Sequence, residues 1–188
     1  MFLFFDTETT GLPKDWKAPV TDVENWPRLV QLAWLTYDAN GKKLDGNANI
    51  VKPDGFEIPE HASKIHGITT ERAWGEGEFL DLVLKEFYGR LEMATVIIGH
   101  NITFDANIVG AEFIRAKLPA INPKPARICT MMGSRSYCAL PRMKWPKLTE
   151  LHQKLFGCAF EGAHDASSDI AATAKCFWKL VALGVIKI

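Results

Sequence analysis

Five residues in three separate stretches of the sequence carry side chains that could do chemistry. Asp6 and Glu8 follow an apolar start in MFLFFDTETTGL, Asp105 ends the stretch HNITFD, and His164 and Asp169 lie in HDASSD. Asp6 and Glu8 are two residues apart, so on a strand both carboxylates point to the same side of the sheet. Two such carboxylates repel each other unless a cation lies between them or one is protonated. The spacing therefore predicts one wall of a cation site.

The four acids offer hard oxygen ligands, which favour Mg²⁺ or Mn²⁺ over zinc in the absence of clustered cysteines. Four carboxylates could hold two ions about 3.5–4 Å apart, the arrangement used for in-line phosphodiester chemistry. His164 is suited to take the proton from an attacking water, since a histidine titrates at a pKa of about 6.5. Each residue taken alone also fits an ordinary strand end, helix start or loop. Their combination favours a catalytic metal site.

The segments that must position these residues alternate between apolar strands and amphipathic helices. The sequence predicts strands at residues 2–5, 29–38, 43–53 and 95–100, and helices at residues 69–92, 105–118, 147–157 and 166–183. Asn40-Gly41 favours a tight hairpin turn, so the first three strands are expected to be antiparallel. TVIIGH, which begins at Thr95, is typical of a buried parallel strand. These elements predict an α/β domain with a mixed sheet.

Two of the predicted helices have an apolar stripe at a 3.6-residue period. In the helix at 69–92 the stripe consists of Phe79, Leu82, Val83, Phe87 and Leu91. In the last helix it consists of Ile170, Ala174, Phe177 and Val181. Gly157 is well placed to cap the helix at 147–157.

Composition sets limits on the class of protein. The chain has 188 residues and equal numbers of basic and acidic residues, 22 each, so its net charge is zero. Any affinity for nucleic acid must then come from a local basic surface or from bound metal. The four cysteines form no Cys-x-x-Cys pair, and the apolar start has no preceding basic residue. A reduced, cytoplasmic protein without a signal peptide or a membrane span is expected.

A local basic surface is predicted between residues 124 and 147. This segment contains six basic residues, no acid, and two interleaved aromatic residues, Tyr137 and Trp145. Arg142, Lys144 and Lys147 are the candidates for contacts with a nucleic-acid strand, because basic groups and aromatic rings together suit phosphate contacts and base stacking. A solvated loop face is the alternative interpretation.

The three acidic stretches, in this order, closely resemble the DEDDh 3′–5′ exonucleases, a family that includes the proofreading epsilon subunit of bacterial DNA polymerase III and ribonuclease T. FDTETTGL is similar to the first family motif, HNITFD to the second and HDASSD to the third. IHGIT, at 65–69, looks like the family's His-Gly-Ile segment. Each motif is moderately specific, and the ordered set is highly specific.

The resemblance implies a ribonuclease H-like fold with a mixed five-stranded sheet flanked by helices, in a single exonuclease domain at 1–188. It implies that two metal ions bind to Asp6, Glu8, Asp105 and Asp169, with His164 as general base. It further implies contacts to the terminal nucleotide from Thr9, Gly11, Leu12, Ile65, His66, Asn101 and Phe104. Asp165 has no family role and is interpreted as a solvated loop acid.

Two departures from the family pattern stand out. Relatives often carry an acid before a threonine ahead of the third motif, where this chain has Cys129-Thr130. The polymerase subunit continues into a tethering tail, whereas this sequence stops at Ile188. A free-standing nuclease is therefore expected at least as much as one with a polymerase partner.

The expected function is removal of nucleoside 5′-monophosphates from single-stranded or frayed DNA ends, in proofreading or repair. An exoribonuclease of the same family is the main alternative. An aspartyl phosphatase is a weaker one, because FDTETT only loosely echoes Asp-x-Asp-x-Thr. A binding module that has lost its chemistry is disfavoured, since all five catalytic positions are filled.

Overall fold

A computed structural model describes residues 1–119 and 125–188. Its strands form one sheet with the order β3-β2-β1-β4-β5. The strands are β1 (Phe2–Thr9), β2 (Leu29–Tyr37), β3 (Lys43–Ile50), β4 (Val96–Gly99) and β5 (Ala126–Cys129). β2 pairs antiparallel with β1 and β3, and β4 pairs parallel with β1 and β5. The predicted mixed five-stranded sheet, antiparallel first and parallel later, is confirmed.

Seven α-helices flank the sheet within the described residues. They are α1 (Glu60–His66), α2 (Thr70–Glu76), α3 (Leu80–Met93), α4 (Ile102–Arg115), α5 (Thr130–Cys138), α6 (Leu148–Phe156) and α7 (Ala166–Ala182). None of these helices is long and apolar enough to cross a membrane.

The central strand β1 is buried on both faces, which explains its run of large apolar residues. Leu3 and Phe5 point to one face and pack with side chains of α3 and α4. Phe4 points to the other face and packs with Ile170 and Phe177 of α7. Successive side chains of a strand alternate between faces. Asp6 and Glu8 therefore share the face of Phe4, toward α7.

A buried ion cluster ties α4 to the start of β2. The fully buried Glu112 accepts hydrogen bonds through Oε1 from Arg28 Nε at 2.9 Å and from the Leu29 backbone N–H at 3.0 Å. Arg115 Nη1 lies 3.0 Å from the same oxygen. Glu112 follows Asp105 by seven residues, two turns along the same face of the helix. The cluster thus fixes the helix that carries Asp105.

The prediction of a single helix at residues 69–92 is wrong. The segment forms two helices, α2 and α3, and the break between them begins at Gly77. Glu78 makes strand-like hydrogen bonds there, donating to Ile50 O and accepting from Lys52 N, both at 2.8 Å. A side chain at position 77 would lie only 3.0 Å from the Lys52 nitrogen. The close approach of the two backbones breaks the helix.

This break also changes the predicted apolar stripe. Val83 and Phe87 are buried as expected, whereas Phe79 and Leu82 are 49% and 52% exposed. The predicted third strand is too long, since β3 ends at Ile50. The helix predicted at 105–118 begins three residues earlier, at Ile102, which places Asp105 in its first turn. Gly157 caps α6 in the left-handed conformation, as predicted.

Candidate metal centre and nucleotide pocket

Three carboxylates meet at the end of the central strand. Asp6 and Glu8 project from β1 toward α7, and Asp169 lies in the first turn of α7. Each offers one oxygen, and these three oxygens all lie within 4.8 Å of one another. The side chains are half-buried. The structure therefore brings together three of the four acids predicted to bind metal.

The fourth acid, Asp105, reaches the site from the other face of the sheet. It is 3% exposed, and its Oδ1 accepts hydrogen bonds from the backbone N–H and the hydroxyl of Thr7, at 3.0 and 2.7 Å. Its Oδ2 accepts no hydrogen bond from the described residues. Asp105 lies outside the compact group of three. The alternation of β1 could have identified Thr7 as its partner, since Thr7 faces away from Asp6.

Burial and mutual repulsion favour protonated carboxyl groups in this cluster. Burial raises the pKa of Asp6 well above its ordinary value, and the charges of Asp105, Asp169 and Glu8 raise it further. Burial, followed by the charges of Asp169 and Asp105, raises the pKa of Glu8 to about 8. Burial raises the pKa of Asp105 to about 7, against the hydrogen bonds from Thr7 that lower it. Burial also raises the pKa of Asp169.

This donor set fits a divalent cation of the hard kind. The available donor atoms are carboxylate oxygens, which Mg²⁺ and Mn²⁺ prefer, and carboxylates must lose their protons to coordinate a metal. A cation supplies the positive charge that the protons otherwise supply. The arrangement therefore suits a site whose acids keep protons in the absence of a metal and lose those protons when a metal binds.

His164 lies in the loop before α7, with an exposed side chain. Its backbone has φ +71° and its N–H donates to Asp169 Oδ2 at 3.1 Å. The left-handed conformation is uncommon for a residue other than glycine, although histidine adopts it more often than most. The ring makes no hydrogen bond to the residues that the structure describes. The histidine is thus fixed through its backbone, while the ring faces solvent.

The interpretation of Asp165 as a solvated loop acid is wrong. Its carboxylate caps the N-terminus of α7, with Oδ2 accepting from the Ser168 backbone N–H and from the Ser168 hydroxyl, each at 3.0 Å. Its Oδ1 accepts from Gln31 Nε2 at 3.1 Å. Aspartate is a favoured N-cap residue, so its place just before the predicted helix was the available signal.

A cavity of about 440 Å³ adjoins the acids. Its lining includes Thr9, Gly11, Leu12, Ile65, His66 and Phe104, six of the seven residues predicted to meet a nucleotide. Glu8 lines it as well, so the cavity and the acid cluster share a side chain. Asn101, the seventh, lies outside this lining and is the N-cap residue just before α4, with φ +78°. His61 and Ala62 also line the cavity and were not predicted, because the short helix α1 was not recognised.

The cavity combines exposed apolar side chains with buried polar residues, among them His66. Leu12 and Ile65 are 71% and 58% exposed, which is unusual for such large apolar side chains. His66 is buried, and its Nδ1 accepts a hydrogen bond from the Ile68 N–H at 3.1 Å. Burial lowers the pKa of His66, against a hydrogen bond with the Thr9 backbone that raises it. Because Nδ1 accepts from Ile68, the proton of the neutral ring lies on Nε2. That nitrogen has no well-aligned hydrogen-bond partner within the described residues.

The predicted basic surface is partly formed by residues 140–147, the loop between α5 and α6. Arg142 and Lys147 are exposed, whereas Lys144 pairs with Glu150 at 2.8 Å. The Arg135 guanidinium stacks 4.1 Å from the ring centroid of Trp145. Lys124, which belongs to the same predicted surface, lies outside the described residues.

His100, which the sequence did not single out, ties this loop to the site. Its Nε2 lies 2.9 Å from Pro146 O in the loop, and its Nδ1 lies 3.0 Å from Thr130 Oγ1. Burial lowers the pKa of His100 to about 4, so the ring is neutral at physiological pH. A proline carbonyl can only accept, so Nε2 carries the proton. His100 precedes Asn101, at the start of the helix that carries Asp105.

A mixed sheet with an acidic cluster at the end of its central strand places the chain among the ribonuclease H-like nucleases. Residues 3–177 match the model of the RNase_T exonuclease family, and the chain belongs to this family. The predicted family and the predicted enzyme class, an exonuclease, are confirmed.

Relatives and solved structures agree with this assignment. DNA polymerase III subunit epsilon of Treponema pallidum is 26% identical over 181 residues, covering 96% of this chain and 76% of that protein. DNA polymerase III PolC-type of Streptococcus pneumoniae is 32% identical over 179 residues, covering 93% of this chain but only 11% of that protein.

The structure of E. coli exonuclease I in complex with a dT13 oligonucleotide aligns with a TM-score of 0.76 and 26% identity. The alignment covers 96% of this chain and 40% of that protein. The chain thus spans only a part of exonuclease I and a small part of the PolC-type polymerase.

The metal-free protein is expected to lose stability as the pH rises from about 4 to about 8. The folded state holds protons on Glu8 and Asp105, with pKa values of about 8 and 7, that the unfolded state releases near pH 4. The contribution of these groups to the free energy of unfolding is complete at a pH below their pKa values in the unfolded state. It is lost as the pH rises through their pKa values in the folded state. The melting temperature in EDTA should fall over this range, and Mn²⁺ should remove most of the slope.

Asp6→Asn is the companion variant, because an amide keeps the size of the side chain and needs neither a negative charge nor an added proton in the folded cluster. Its melting temperature in EDTA at pH 8 should rise by several degrees, given about 2–4 °C per kcal/mol for a domain of this size. Asp22→Asn, at an exposed position, is the matched control and should change little. Equal slopes with EDTA and Mn²⁺ would contradict the electrostatic account.

Proposed function

We propose that residues 1–188 form one exonuclease domain that removes nucleoside 5′-monophosphates from the 3′ end of single-stranded or frayed DNA, using Mg²⁺ or Mn²⁺. The observation that carries this proposal is that Glu8 belongs both to the cluster of three carboxylates and to the lining of the cavity of about 440 Å³. A phosphodiester next to a nucleotide in the cavity would thus lie beside the acids.

Four carboxylates would hold the metal ions in this proposal. Asp6, Glu8 and Asp169 offer oxygens within 4.8 Å of one another, and Asp105 keeps Oδ2 free of the hydrogen bonds that Thr7 donates to Oδ1. Two bound ions would lower the pKa of an attacking water and stabilise charge on the phosphate. The Thr7 bonds orient Asp105, so that its free oxygen has a fixed direction.

His164 is proposed to accept the proton of the attacking water at a ring nitrogen. Its backbone N–H donates to Asp169 Oδ2, which places the residue beside a proposed metal ligand. The exposed ring can turn toward the cluster, because no described residue holds it by a hydrogen bond. General-base catalysis of this kind typically contributes about 10²–10⁴-fold in rate.

The cavity is proposed to hold the terminal nucleotide. Its volume lies within the range of about 300–1,000 Å³ that small-molecule sites occupy. The exposed apolar side chains of Leu12 and Ile65 would cover the faces of the base. His66 Nε2 carries a proton and has no well-aligned partner among the described residues, so it can donate a hydrogen bond to an acceptor on the nucleotide.

DNA is proposed as the substrate because a similar solved protein, E. coli exonuclease I, is in complex with a dT13 oligonucleotide. The polymerase III names of two relatives support a role in replication or repair, with a polymerase as a candidate partner.

The decisive experiment is digestion of short single strands labelled at the 5′ end, DNA and RNA of matched sequence. Wild-type protein with Mg²⁺ or Mn²⁺ should produce a ladder that shortens from the 3′ end. EDTA or Asp6→Asn should abolish it, and Asp22→Asn should not. His164→Gln should slow cleavage by about 10²–10⁴-fold while metal binding is retained. Internal cuts, or cleavage that persists in Asp6→Asn, would overturn the proposal, and a stronger RNA ladder would reassign the substrate.

The loop at 140–147 is proposed to contact the strand beyond the terminal nucleotide. Within residues 125–147 the chain has no acid. Trp145 is 43% exposed, with the Arg135 guanidinium stacked on its ring. Arg142 is exposed and has φ +57°, so a bulky residue is held in an uncommon conformation. A stacked aromatic ring beside an exposed guanidinium is suited to one base and one phosphate.

Substitutions in this loop should weaken strand binding and leave the chemistry intact. Trp145→Ala should raise the KM for an oligonucleotide about tenfold, since a stacked base contributes about 1–3 kcal/mol. Arg142→Gln should raise the KM less and should reduce its dependence on salt. Cleavage of a dinucleotide, which has no strand beyond the nucleotides at the scissile bond, should be unchanged. Lys42→Gln, in the exposed β2–β3 turn, is the control.

Two outcomes would contradict the proposal that the loop binds the strand. If both loop variants keep the wild-type KM for the oligonucleotide, or if both lose dinucleotide cleavage equally, the loop does not bind the strand.

A further inference from the structure

The acid cluster joins two elements that are far apart in the chain and that repel each other. Asp6 and Glu8 belong to β1, whereas Asp169 belongs to the first turn of α7. Like charges at this distance push the helix away from the strand. Apolar packing holds the middle of α7, through Ile170 and residues that follow it. The N-terminal end of the helix requires an additional contact.

Gln31 provides such a contact. It lies on β2 directly opposite Glu8 in the antiparallel register and is 7% exposed. Its Nε2 donates to Asp165 Oδ1 and its Oε1 accepts from the Ala166 backbone N–H, both at 3.1 Å. One side-chain amide thus binds the N-cap residue and the first residue of α7 at the same time.

Asp165, which Gln31 holds, is linked by further hydrogen bonds to Asp169 and, through Asp169, to His164. Its second carboxylate oxygen binds Ser168, and its backbone carbonyl accepts from the Asp169 N–H at 2.9 Å. Asp169 in turn accepts from the His164 N–H. A shift of Asp165 would therefore move both the proposed metal ligand and the proposed general base.

We propose that Gln31 and Asp165 form a positioning clamp that holds Asp169 and His164 in register with the acids of β1. Neither residue of the clamp touches the substrate in this proposal. The inference rests on the metal site proposed above. It assigns a role to an amide on a neighbouring strand and to the acid inside the third motif.

An amide suits position 31 for a physical reason. It must donate to a carboxylate and accept from a backbone N–H, and a side-chain amide offers a separate donor group and acceptor group without adding charge. A glutamate in its place would accept from Ala166 but would set a further negative charge against Asp165. A methionine would fill a similar volume and make neither hydrogen bond.

The first test is Gln31→Met, compared with Gln153→Met at an exposed position of α6. Titration of the metal-free protein with Mn²⁺ in a calorimeter should show about tenfold weaker binding for Gln31→Met, as for other partners that orient metal ligands. The kcat for a dinucleotide should fall, while the KM for an oligonucleotide stays the same. Gln153→Met should match the wild type.

The second test exchanges the donor and the acceptor. Gln31→Glu alone should weaken Mn²⁺ binding more than Gln31→Met, because two carboxylates then face each other. In the double variant Gln31→Glu with Asp165→Asn, the new amide donates to the new carboxylate, and asparagine remains a good N-cap. Mn²⁺ affinity and kcat should return to within about threefold of the wild type. Failure of this rescue would overturn the clamp.

Amide hydrogen exchange provides a readout that needs no metal. In metal-free Gln31→Met, exchange at the Ala166 amide should accelerate, whereas amides in the middle of α7 should keep their protection. Wild-type exchange at Ala166 in this variant would contradict the clamp, whatever the activity. Absence of Mn²⁺ binding by the wild type would instead refute the metal site, so the two failures are distinguishable.

Discussion

Repulsion among carboxylates is the constraint on which the rest of this structure depends. Three acidic oxygens lie within 4.8 Å of one another, and Asp105 adds its charge from the other face of the sheet. Such a cluster persists only on a rigid frame, because each charge alone favours separation. β1 supplies the frame, since it is buried between two layers of helices. Thr7 and Gln31 then fix the acids that the neighbouring helices contribute.

Successive side chains of β1 point to opposite faces of the sheet and have different roles in the proposed site. Asp6 and Glu8 point toward α7, where they meet Asp169. Thr7, on the opposite face, orients Asp105. Thr9, at the end of the strand, donates from its hydroxyl to Gly11 O at 2.6 Å and lines the cavity. One strand therefore carries two proposed metal ligands, the hydrogen-bond partner of a third and a wall of the proposed nucleotide pocket.

The sequence predicts those features that depend on local pattern. An apolar strand followed by two acids, and three motifs in order, were enough for the family, the mixed sheet and the acids of the cluster. The features that were missed depend on contacts between distant segments. The break at Gly77 follows from backbone pairing with residues 50–52, and the contact between Asp165 and Gln31 joins residues 134 positions apart. A spacing rule cannot reveal either.

The measurement that tests the central claim most directly is proton release on metal binding. Metal-free protein would be titrated with Mn²⁺ at pH 7 in buffers of different ionisation enthalpy. Since Glu8 has a pKa of about 8, it is mostly protonated at pH 7 and must lose its proton to bind metal. Binding should release about one proton or more at pH 7, and fewer as the pH rises above 8. Binding without proton release at pH 7 would contradict the account.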